Sequence, residues 1–424
     1  MKKSRFLILI GSLVLVGALL SGCAGQVIAT GASGLTVYAD RAFLASGGYV
    51  YSVDVANGTE NTTTDSKGNA VPLRFPAQSR NMGFGSSPAA VSADQMVIGN
   101  AFSNDRKHQF FSFNPQTMAY SPAPWPYLGA KDLWMGGPIV IDGLIYAPNS
   151  DGGLYVFDST GNLKTKFQAD GGLWATPLYD GKLIYLASMG HFLYAVDPAD
   201  LSKAVWQKEL DASMVAAPLL ADGKLYIGTI NNSLYALDAA TGKILWQQTL
   251  DGGIWSSPAM DASGAAAPAA SPTSGSSTAA TPTAAPTTGS TAAATPVATT
   301  PPVTAGPTIY VGTAKNPSGG TLYAIDPADG STRWTFAAAG GIGAAPVVHE
   351  GRIYFVTEDG MIQALTSEGS SAWQQNLEGS KFYTTPVLAG DLLLVAPTNN
   401  KSFVLAAYAL DSGVQKWNFT PNKK

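Results

Sequence analysis

The segment Ala236-Leu-Asp-Ala-Ala-Thr-Gly-Lys-Ile-Leu-Trp246 decides the fold, because the chain repeats it, with decay, along nearly its whole length. A second copy, Ala324-Ile-Asp-Pro-Ala-Asp-Gly-Ser-Thr-Arg-Trp334, keeps the spacing of Ala, Asp, Gly and Trp. Looser copies end at Trp206, Trp373 and Trp417, the last of them beginning at Ala409-Leu-Asp411. A fixed period of about 40 residues is typical of a propeller or a solenoid. We therefore expect the functional residues to lie on the surfaces of a repeat array.

Within one repeat, short apolar runs alternate with signals for tight turns. In the best-formed unit, Asp222-Gly223, Asn231-Asn232 and Ala240-Thr-Gly242 separate four such runs. Asp-Gly and Asn-Asn favour two-residue hairpin turns, which need positive φ angles. Four short antiparallel strands per repeat make one propeller blade. The sequence predicts an all-β, eight-bladed β-propeller of four-stranded blades, or seven blades if the first or second repeat fails.

A proline near the first strand of each repeat tracks the period: Pro88, Pro138, Pro177, Pro218, Pro258, Pro346 and Pro386. The gap from Pro258 to Pro346 exceeds one period, and the excess falls at 262–306, a stretch of almost only Ala, Pro, Thr, Ser and Gly without charge. Such a composition buries too little apolar surface to offset the entropy of ordering it. We predict a propeller over 35–424, with a disordered insertion at 262–306 between the first two strands of one blade.

The N-terminus has the features of an export signal. A basic start, Lys2-Lys-Ser-Arg5, precedes an apolar run from Phe6 to Leu20 that is too short for a comfortable membrane span. It ends in Leu20-Ser-Gly-Cys23, which resembles a bacterial lipobox, and Cys23 is the only cysteine. We predict a signal peptide at 1–22 and a lipidated tether at 23–34, acylated on Cys23. The protein is then held on the extracytoplasmic side of a membrane in the cell envelope, the outer membrane if the host has one.

The composition excludes some classes of partner. Charged residues make up 13% of the chain, about half of the usual ~25%. The net charge is −4 and no basic stripe is present, so we expect no binding to DNA or RNA. The many glycines and aromatic residues suit short buried strands joined by tight turns. We expect a monomeric propeller body.

The repeat resembles that of a known protein family. Ala-x-Asp-x-x-Thr-Gly-Lys-x-x-Trp at 236–246 resembles the repeat of the pyrroloquinoline-quinone-type propellers, over about 35–260 and 308–420. Within that superfamily, an eight-bladed lipoprotein of this size resembles the scaffold lipoproteins of the outer-membrane barrel-assembly machinery. The resemblance implies a non-catalytic, protein-interaction scaffold, with envelope proteins such as barrel-assembly components as its partners.

The same superfamily contains enzymes, but this sequence lacks the cysteine pair that holds the cofactor in them. Quinoprotein dehydrogenases of the superfamily hold their cofactor with a vicinal cysteine disulfide, a stacked Trp and a calcium ion, whereas this chain has only Cys23. His108, His191 and His349 fall at unrelated positions of the repeat, which does not favour a metal site. We therefore expect no catalytic residue, no metal and no cofactor. The alternatives are a degenerate quinoprotein-type enzyme, a small-ligand binder in the central channel, and a surface sensor.

Two sets of large side chains recur along the repeat. The first lies on the outer strand, where we expect each indole to pack between adjacent blades: Trp206, Trp246, Trp334, Trp373 and Trp417. The second lies where the chain enters the first strand of a blade: Trp134, Trp174, Met214, Trp255, Phe382 and Tyr383. These residues are either packed between the inner strands or exposed as a partner-binding patch. We keep the patch as a hypothesis for partner docking and leave the packed arrangement open beside it.

Aspartates recur where third strands are expected to end: Asp54, Asp158, Asp197, Asp238, Asp326 and Asp411. One carboxylate in nearly every blade is too many for a single active site. Asp side chains accept hydrogen bonds from the backbone two or three residues further on and so stabilise turns. We expect these aspartates to be turn-makers.

Overall fold

The computed structural model describes residues 34–76, 82–84, 89–103, 107–261, 306–315 and 319–421. These residues form no helix, and their strands make eight four-stranded antiparallel sheets arranged in a ring. The prediction of an eight-bladed β-propeller is confirmed. Among the described residues there is no helix of the length and hydropathy that crossing a membrane requires.

The first half of the ring is the less regular one. Blade 1 contains β1 (Gly34–Tyr38), β2 (Arg41–Ser46), β3 (Tyr49–Asp54) and β6 (Arg74–Phe75), with the extra hairpin β4 (Thr62–Thr64) and β5 (Ala70–Pro72) inserted before β6. Blade 2 contains β7 (Met82–Phe84), β8 (Ala90–Val91), β9 (Met96–Ser103) and β10 (Phe110–Phe113). Here β7 and β8 both pair with β9, and isolated bridges from Phe110 to Tyr127 and from Phe113 to Tyr120 extend the sheet beyond β10.

Blades 3 to 8 each follow the simple order of four consecutive strands. Blade 3 contains β11 (Ile139–Ile141), β12 (Leu144–Pro148), β13 (Gly153–Asp158) and β14 (Leu163–Gln168). Blade 4 contains β15 (Leu178–Tyr179), β16 (Ile184–Ala187), β17 (Phe192–Asp197) and β18 (Asp200–Glu209). Blade 5 contains β19 (Leu219–Ala221), β20 (Lys224–Gly228), β21 (Ser233–Asp238) and β22 (Ile244–Thr249).

The last three blades complete the ring. Blade 6 contains β23 (Ala259–Met260), β24 (Ile309–Gly312), β25 (Gly320–Ile325) and β26 (Thr332–Ala338). Blade 7 contains β27 (Val347–His349), β28 (Arg352–Val356), β29 (Met361–Thr366) and β30 (Ser371–Asn376). Blade 8 contains β31 (Val387–Ala389), β32 (Leu392–Val395), β33 (Leu405–Ala409) and β34 (Gln415–Phe419).

The hairpin turns follow from residue type. Asp222 and Gly223, between β19 and β20, have φ angles of 46° and 70°. Two consecutive positive φ angles define the turn whose twist matches that of the flanking strands, and Asp-Gly adopts it at low cost. The same turn recurs at Asp142-Gly143 and Glu350-Gly351. Local sequence therefore sets the register of these inner hairpins.

Each junction between two adjacent blades, which we call a seam, is generally closed by a Trp of one blade and a Gly of the next. Trp246 of blade 5 covers Gly330 of blade 6, where an added Cβ would lie 2.7 Å from the indole Cε3 atom. The Trp246 Nε1 donates to the Pro327 carbonyl oxygen at 3.2 Å. Gly330 has a φ of 79°, so glycine alone permits both the turn and the ring at low cost.

The predicted outer-strand tryptophans all occupy such seams. The pairs are Trp206 with Gly242, Trp246 with Gly330, Trp334 with Gly369, Trp373 with Gly413, and Trp417 with Gly58. In each pair the indole Nε1 also donates to a backbone carbonyl oxygen of the next blade, at 2.9–3.2 Å. Trp125, which the repeat pattern did not mark, covers Gly161 in the same way. The Trp417 pair joins blade 8 to blade 1 and so closes the ring.

Two seams depart from this rule. At the seam after blade 1, Leu73 stands at the tryptophan position and Met118, with a φ of 54°, at the glycine position. Both are buried in one cluster. At the seam after blade 3, Thr165 pairs with Val156 as Trp246 pairs with Ala236. Thr165 is exposed, so the tryptophan position of this seam holds no ring. The Phe167 ring of blade 3 instead contacts the Tyr194 ring of blade 4, with centroids 5.4 Å apart.

One sequence assignment is wrong. We aligned Ala409-Leu-Asp411 with Ala236-Leu-Asp238, but β33 ends at Ala409, and Ala407 is the residue that pairs with Trp417. The Gly413 amide donates to Ala409, just as the Gly242 amide donates to Asp238. Ala409 therefore holds the turn position, and Asp411 lies within the turn. The same three-residue pattern occurs at two registers, and only the strand pairing separates them.

The remaining domain boundaries stay predictions. The signal peptide 1–22, Cys23 and the tether to residue 33 lie outside the described residues, as does the insertion from 262 to 305. What the structure does describe is the pairing of β23 with β24, on either side of that insertion. The Gly306 carbonyl oxygen accepts a hydrogen bond from Arg333 Nη1 at 3.0 Å.

Candidate protein-interaction face

The candidate residues lie on the segments that lead from the fourth strand of one blade to the first strand of the next, which we call lead-in segments. Each contacts two blades through its backbone. In blade 6, the Ile254 amide donates to Thr229 of blade 5 at 3.1 Å, and Gly253 exchanges two hydrogen bonds with Ala314 of its own blade at 3.0 Å. The loops between second and third strands, such as the one holding Ala314, therefore share a face of the disc with the lead-in segments. We call it the lead-in face.

The proline that follows each lead-in segment sorts the six candidates into two registers. Trp134, Met214 and Phe382 stand four residues before their proline. Trp174, Trp255 and Tyr383 stand three residues before theirs. Side chains of an extended chain point alternately to opposite sides. Neighbouring positions of the segment therefore face different surroundings.

The first register is core, so for three of the six residues the packed alternative holds and the patch hypothesis does not. Trp134, Met214 and Phe382 are no more than 1% exposed. Trp134 packs on Gly99 of the preceding blade, where an added Cβ would overlap the Trp134 Cβ, and its Nε1 donates to His108. The physical reason is that this register points towards the end of the preceding blade's second strand, which a side chain must fill.

The second register reaches solvent. Trp255 is 48% exposed and Tyr383 37% exposed, while Trp174 is partly buried. Each indole lies back over the glycine two residues before it: a Cβ on Gly253 would come within 2.9 Å of Trp255 Nε1, and one on Gly172 within 3.2 Å of Trp174 Nε1. The rings are thus supported by the backbone of their own lead-in segments. Supported aromatic rings at a surface are the usual anchors of protein interfaces.

The same register contains residues that the sequence reasoning missed. Met135 of blade 3 and Val215 of blade 5 stand three residues before Pro138 and Pro218, and both are partly buried. Val215 lies between Trp174 and Trp255 in blade order, so blades 4, 5 and 6 present an unbroken apolar series. Counting back from the proline would have found both residues.

Blade 7 interrupts the series. Gly343 stands in the exposed register, and a Cβ placed there would lie 3.2 Å from Glu358 Oε1. Burial raises the pKa of Glu358 above its ordinary value, and the ammonium group of Lys381 only partly opposes that effect. Blade 7 therefore places a carboxyl group at the position where its neighbours place an aromatic ring.

Two other carboxylates of this face, those of Asp251 and Asp211, are held by hydrogen bonds from nearby loops. Asp251 accepts hydrogen bonds from Thr313 at 2.8 Å and Thr321 at 2.7 Å, and pairs with Lys315 at 2.7 Å. Burial by itself would raise the pKa of Asp251, but Lys315 and the two hydroxyl groups outweigh it and lower that pKa. Asp211 is held in the same manner by Ser233 and Asn231. These groups hold loops in place.

No constellation for metal chemistry is found in the ranges that the structure describes. They contain no group of three or more His, Cys, Asp or Glu side chains placed to hold a metal ion. His108, His191 and His349 lie in blades 2, 4 and 7. The face thus combines apolar rings with polar loops that are held by hydrogen bonds within the protein.

A family model described as outer membrane protein assembly factor BamB matches residues 150–285 and 276–420, more than half of the chain. The chain belongs to this family. The BamB of Yersinia pestis is 26% identical to it over 295 residues, which cover 63% of this chain and 72% of that protein. The resemblance to the barrel-assembly scaffold family is confirmed.

A partial match to an enzyme and a match to a designed structure mark the limits of that similarity. The quinohemoprotein alcohol dehydrogenase ADH IIB of Pseudomonas putida is 37% identical over 92 residues, only 19% of this chain and 13% of the enzyme. The computationally designed Ika8 protein superposes with a TM-score of 0.59 at 9% identity, covering 91% of this chain and all of the design. That likeness shows the fold alone. The BamB family model therefore covers far more of the chain than the enzyme match does.

Proposed function

We propose that this protein is a non-catalytic scaffold of the cell envelope that binds a protein partner in outer-membrane protein assembly through its lead-in face. Family membership supports the process, and the exposed ring series of Trp174, Val215 and Trp255 supports the surface. Because the rings sit on a closed propeller, a partner can bind without ordering a flexible segment. Anchoring through acylated Cys23 completes the proposal and would keep the face near the membrane.

Affinity capture tests this role. The tagged protein is recovered from membranes dissolved in mild detergent, and the co-purifying proteins are identified by mass spectrometry. The test variant combines Trp174→Ser, Trp255→Ser and Tyr383→Ser. The matched control combines Leu245→Ser, on the outer strand β22, and Val414→Ser, directly before the outer strand β34, which change exposed apolar residues away from the lead-in segments.

We expect wild type and control to recover barrel-assembly components. The test variant should recover at least about tenfold less of them, because aromatic anchors carry most of the binding energy. Circular dichroism and the melting temperature should stay near those of wild type. Recovery of no such components by wild type would remove the proposed role. Equal recovery by all three proteins would remove the proposed surface.

An enzymatic function is the competing candidate, favoured by the 92-residue match to a quinohemoprotein dehydrogenase. The vicinal cysteine pair that the resemblance implies for such enzymes is missing, since Cys23 is the only cysteine. Addition of pyrroloquinoline quinone and Ca²⁺, followed by absorbance and dye reduction with alcohols, tests it. Stoichiometric quinone binding with turnover would replace the scaffold proposal.

A further inference from the structure

Glu358 of the lead-in face has no hydrogen-bonding partner for its carboxyl group in the part of the chain that the structure describes. It follows the second strand of blade 7 and is partly buried. Among the described residues its carboxyl group accepts no hydrogen bond and forms no ion pair. Asp251 and Asp211 of the same face differ, because neighbouring side chains donate to both of them. The hydrogen-bonding capacity of Glu358 is therefore left to water or to a ligand.

The carboxyl group of Glu358 lies over the lead-in segment of its own blade. The Glu358 amide donates to the Gly341 carbonyl oxygen at 2.9 Å. A Cβ added to Gly341 would lie 3.2 Å from Glu358 Cδ, and one added to Gly343 would lie 3.2 Å from its Oε1. Because glycine stands at both positions, the carboxyl group takes the place of an absent side chain. The residue still keeps part of its surface in solvent.

The lead-in segments on either side of this carboxyl group contain exposed aromatic rings. A loop of blade 6 separates it from Trp255: Ala314 of that loop bonds to the lead-in segment of Trp255, and its Cβ would lie 2.9 Å from a Cβ added to Gly341. On the other side, the loop that contains the carboxyl group accepts a hydrogen bond from the Leu377 amide. Leu377 belongs to the lead-in segment of Tyr383. The carboxyl group thus stands between Trp255 and Tyr383 in blade order.

The charged neighbours do not neutralise Glu358. Lys381, two residues before Tyr383, acts on the carboxyl group through its field, but it is exposed and forms no ion pair with it. Lys315, on the blade 6 loop, is paired with Asp251. Asp359, on the same loop as Glu358, adds a negative charge. Burial outweighs the field of Lys381, so the pKa of Glu358 stays above its ordinary value.

A partner that covers the lead-in face removes the water that remains on this carboxyl group. An ionised carboxylate away from water is costly unless it is paired, so either the partner supplies a charged donor or the carboxyl group takes up a proton. The exposed rings of Trp255 and Tyr383 favour the first outcome. A guanidinium group stacks on aromatic faces and pairs with a carboxylate through two parallel hydrogen bonds.

We propose that Glu358 binds a basic side chain, arginine in preference to lysine, of the partner protein that covers the lead-in face. The inference rests on the proposed function and states the chemistry of the partner. The partner presents an arginine between apolar groups that cover Trp255 and Tyr383. The rings supply apolar contact, and the interruption of the ring series at blade 7 selects the charge.

The test applies the affinity capture described above to single variants of the full-length protein. Glu358→Gln removes the charge and Glu358→Arg reverses it. The matched control is Glu378→Gln, which changes an exposed carboxyl group in the lead-in segment of blade 8. At about pH 7.5 we expect Glu358→Gln to recover about fivefold less of the barrel-assembly components, and Glu358→Arg at least about twentyfold less. The control should recover as much as wild type.

The pH dependence separates a bound cation from a bound proton. If a basic side chain pairs with Glu358, the ionised form binds, so recovery by wild type should fall as the pH is lowered from about 7.5 to about 4.5. If Glu358 takes up a proton on binding, recovery should rise instead. The readout is the difference between wild type and Glu358→Gln, because the variant cannot titrate at this position while all other groups still do.

Lys381→Met tests whether the chain's own cation already serves Glu358. Removal of a competing ammonium group should leave recovery unchanged or raise it by about twofold. Charge reversal tests the pairing directly. Once the recovered partner is known, replacement of its contacting arginine by glutamate should restore capture by Glu358→Arg.

Three results would overturn the inference while the proposed function stands, since wild type recovers barrel-assembly components in each. They are equal recovery by Glu358→Gln, a rise in wild-type recovery at low pH that Glu358→Gln abolishes, and a loss with Lys381→Met as large as that with Glu358→Gln. If wild type recovers no such components, the proposed function fails and the inference fails with it. Melting temperatures identify any variant that does not fold, and if Glu358→Arg is one of them, Glu358→Gln decides.

Discussion

Trp134 and Trp255 lie in corresponding lead-in segments of blades 3 and 6, yet one is 1% exposed and the other 48%. They differ by one position relative to the proline that follows. Since side chains of an extended segment alternate, one step of register moves an indole from the preceding blade to solvent. Residue type alone therefore does not distinguish a partner-binding residue from a core residue.

The largest expected effect comes from truncating the two indoles. Trp134→Ala should lower the free energy of unfolding by about 3–5 kcal/mol, because it empties a buried site and removes the hydrogen bond to His108. Trp255→Ala should change that free energy by less than about 0.5 kcal/mol. Urea unfolding followed by circular dichroism measures both. Equal losses would show that the two registers do not differ in burial in solution.

A smaller effect is expected at the glycines. Gly99→Ala places a methyl group against the Trp134 Cβ, an atom that cannot swing aside, and overpacking of this kind costs about 1–3 kcal/mol. Gly343→Ala in the exposed register meets only the end of the Glu358 side chain. We expect it to cost less than about 0.5 kcal/mol. Thermal unfolding of both variants measures the contrast, and a tolerant Gly99 would weaken the account of the buried register.

The smallest expected effect is electrostatic. Burial raises the pKa of Glu358 in the folded protein, so its ionisation opposes folding at pH values above that folded pKa. The penalty disappears as the pH falls below the pKa of the unfolded chain. Glu358→Gln should therefore stabilise the protein at pH 7, by about 1 kcal/mol or less, and have no effect near pH 4. A stabilisation that is the same at both pH values would contradict this reading.

Much of the fold could be predicted because the repeat combines two kinds of local information. Turn pairs such as Asp222-Gly223 set hairpin register, and the recurrent Trp with its spaced Gly marks where blades meet. The seven spaced prolines marked blades 2 to 8, and the repeat that begins at Leu35 supplied the first blade. What failed was alignment where the pattern is short: Ala409-Leu-Asp411 matches the repeat by letters, but the strand pairing places the turn at Ala409.

The candidate surface was predicted less well than the fold. Trp174, Trp255 and Tyr383 were found, but Trp134, Met214 and Phe382 were grouped with them because all are large residues near a first strand. Counting back from the proline that follows each lead-in segment could have separated the buried residues from the exposed ones. The ring contact between Phe167 and Tyr194 at the seam without a tryptophan was not foreseen, because it depends on how blades 3 and 4 face each other.

The sequence by itself determined the strands, their turns and the number of blades, because hydrophobic alternation and positive-φ turn residues act over a few neighbours. Only the tertiary structure decided which rings are exposed, how the seams without a tryptophan are packed and which carboxyl group has a raised pKa. Those properties depend on the distance between residues of different blades, such as Trp134 and Gly99. No pattern within a single repeat contains that distance.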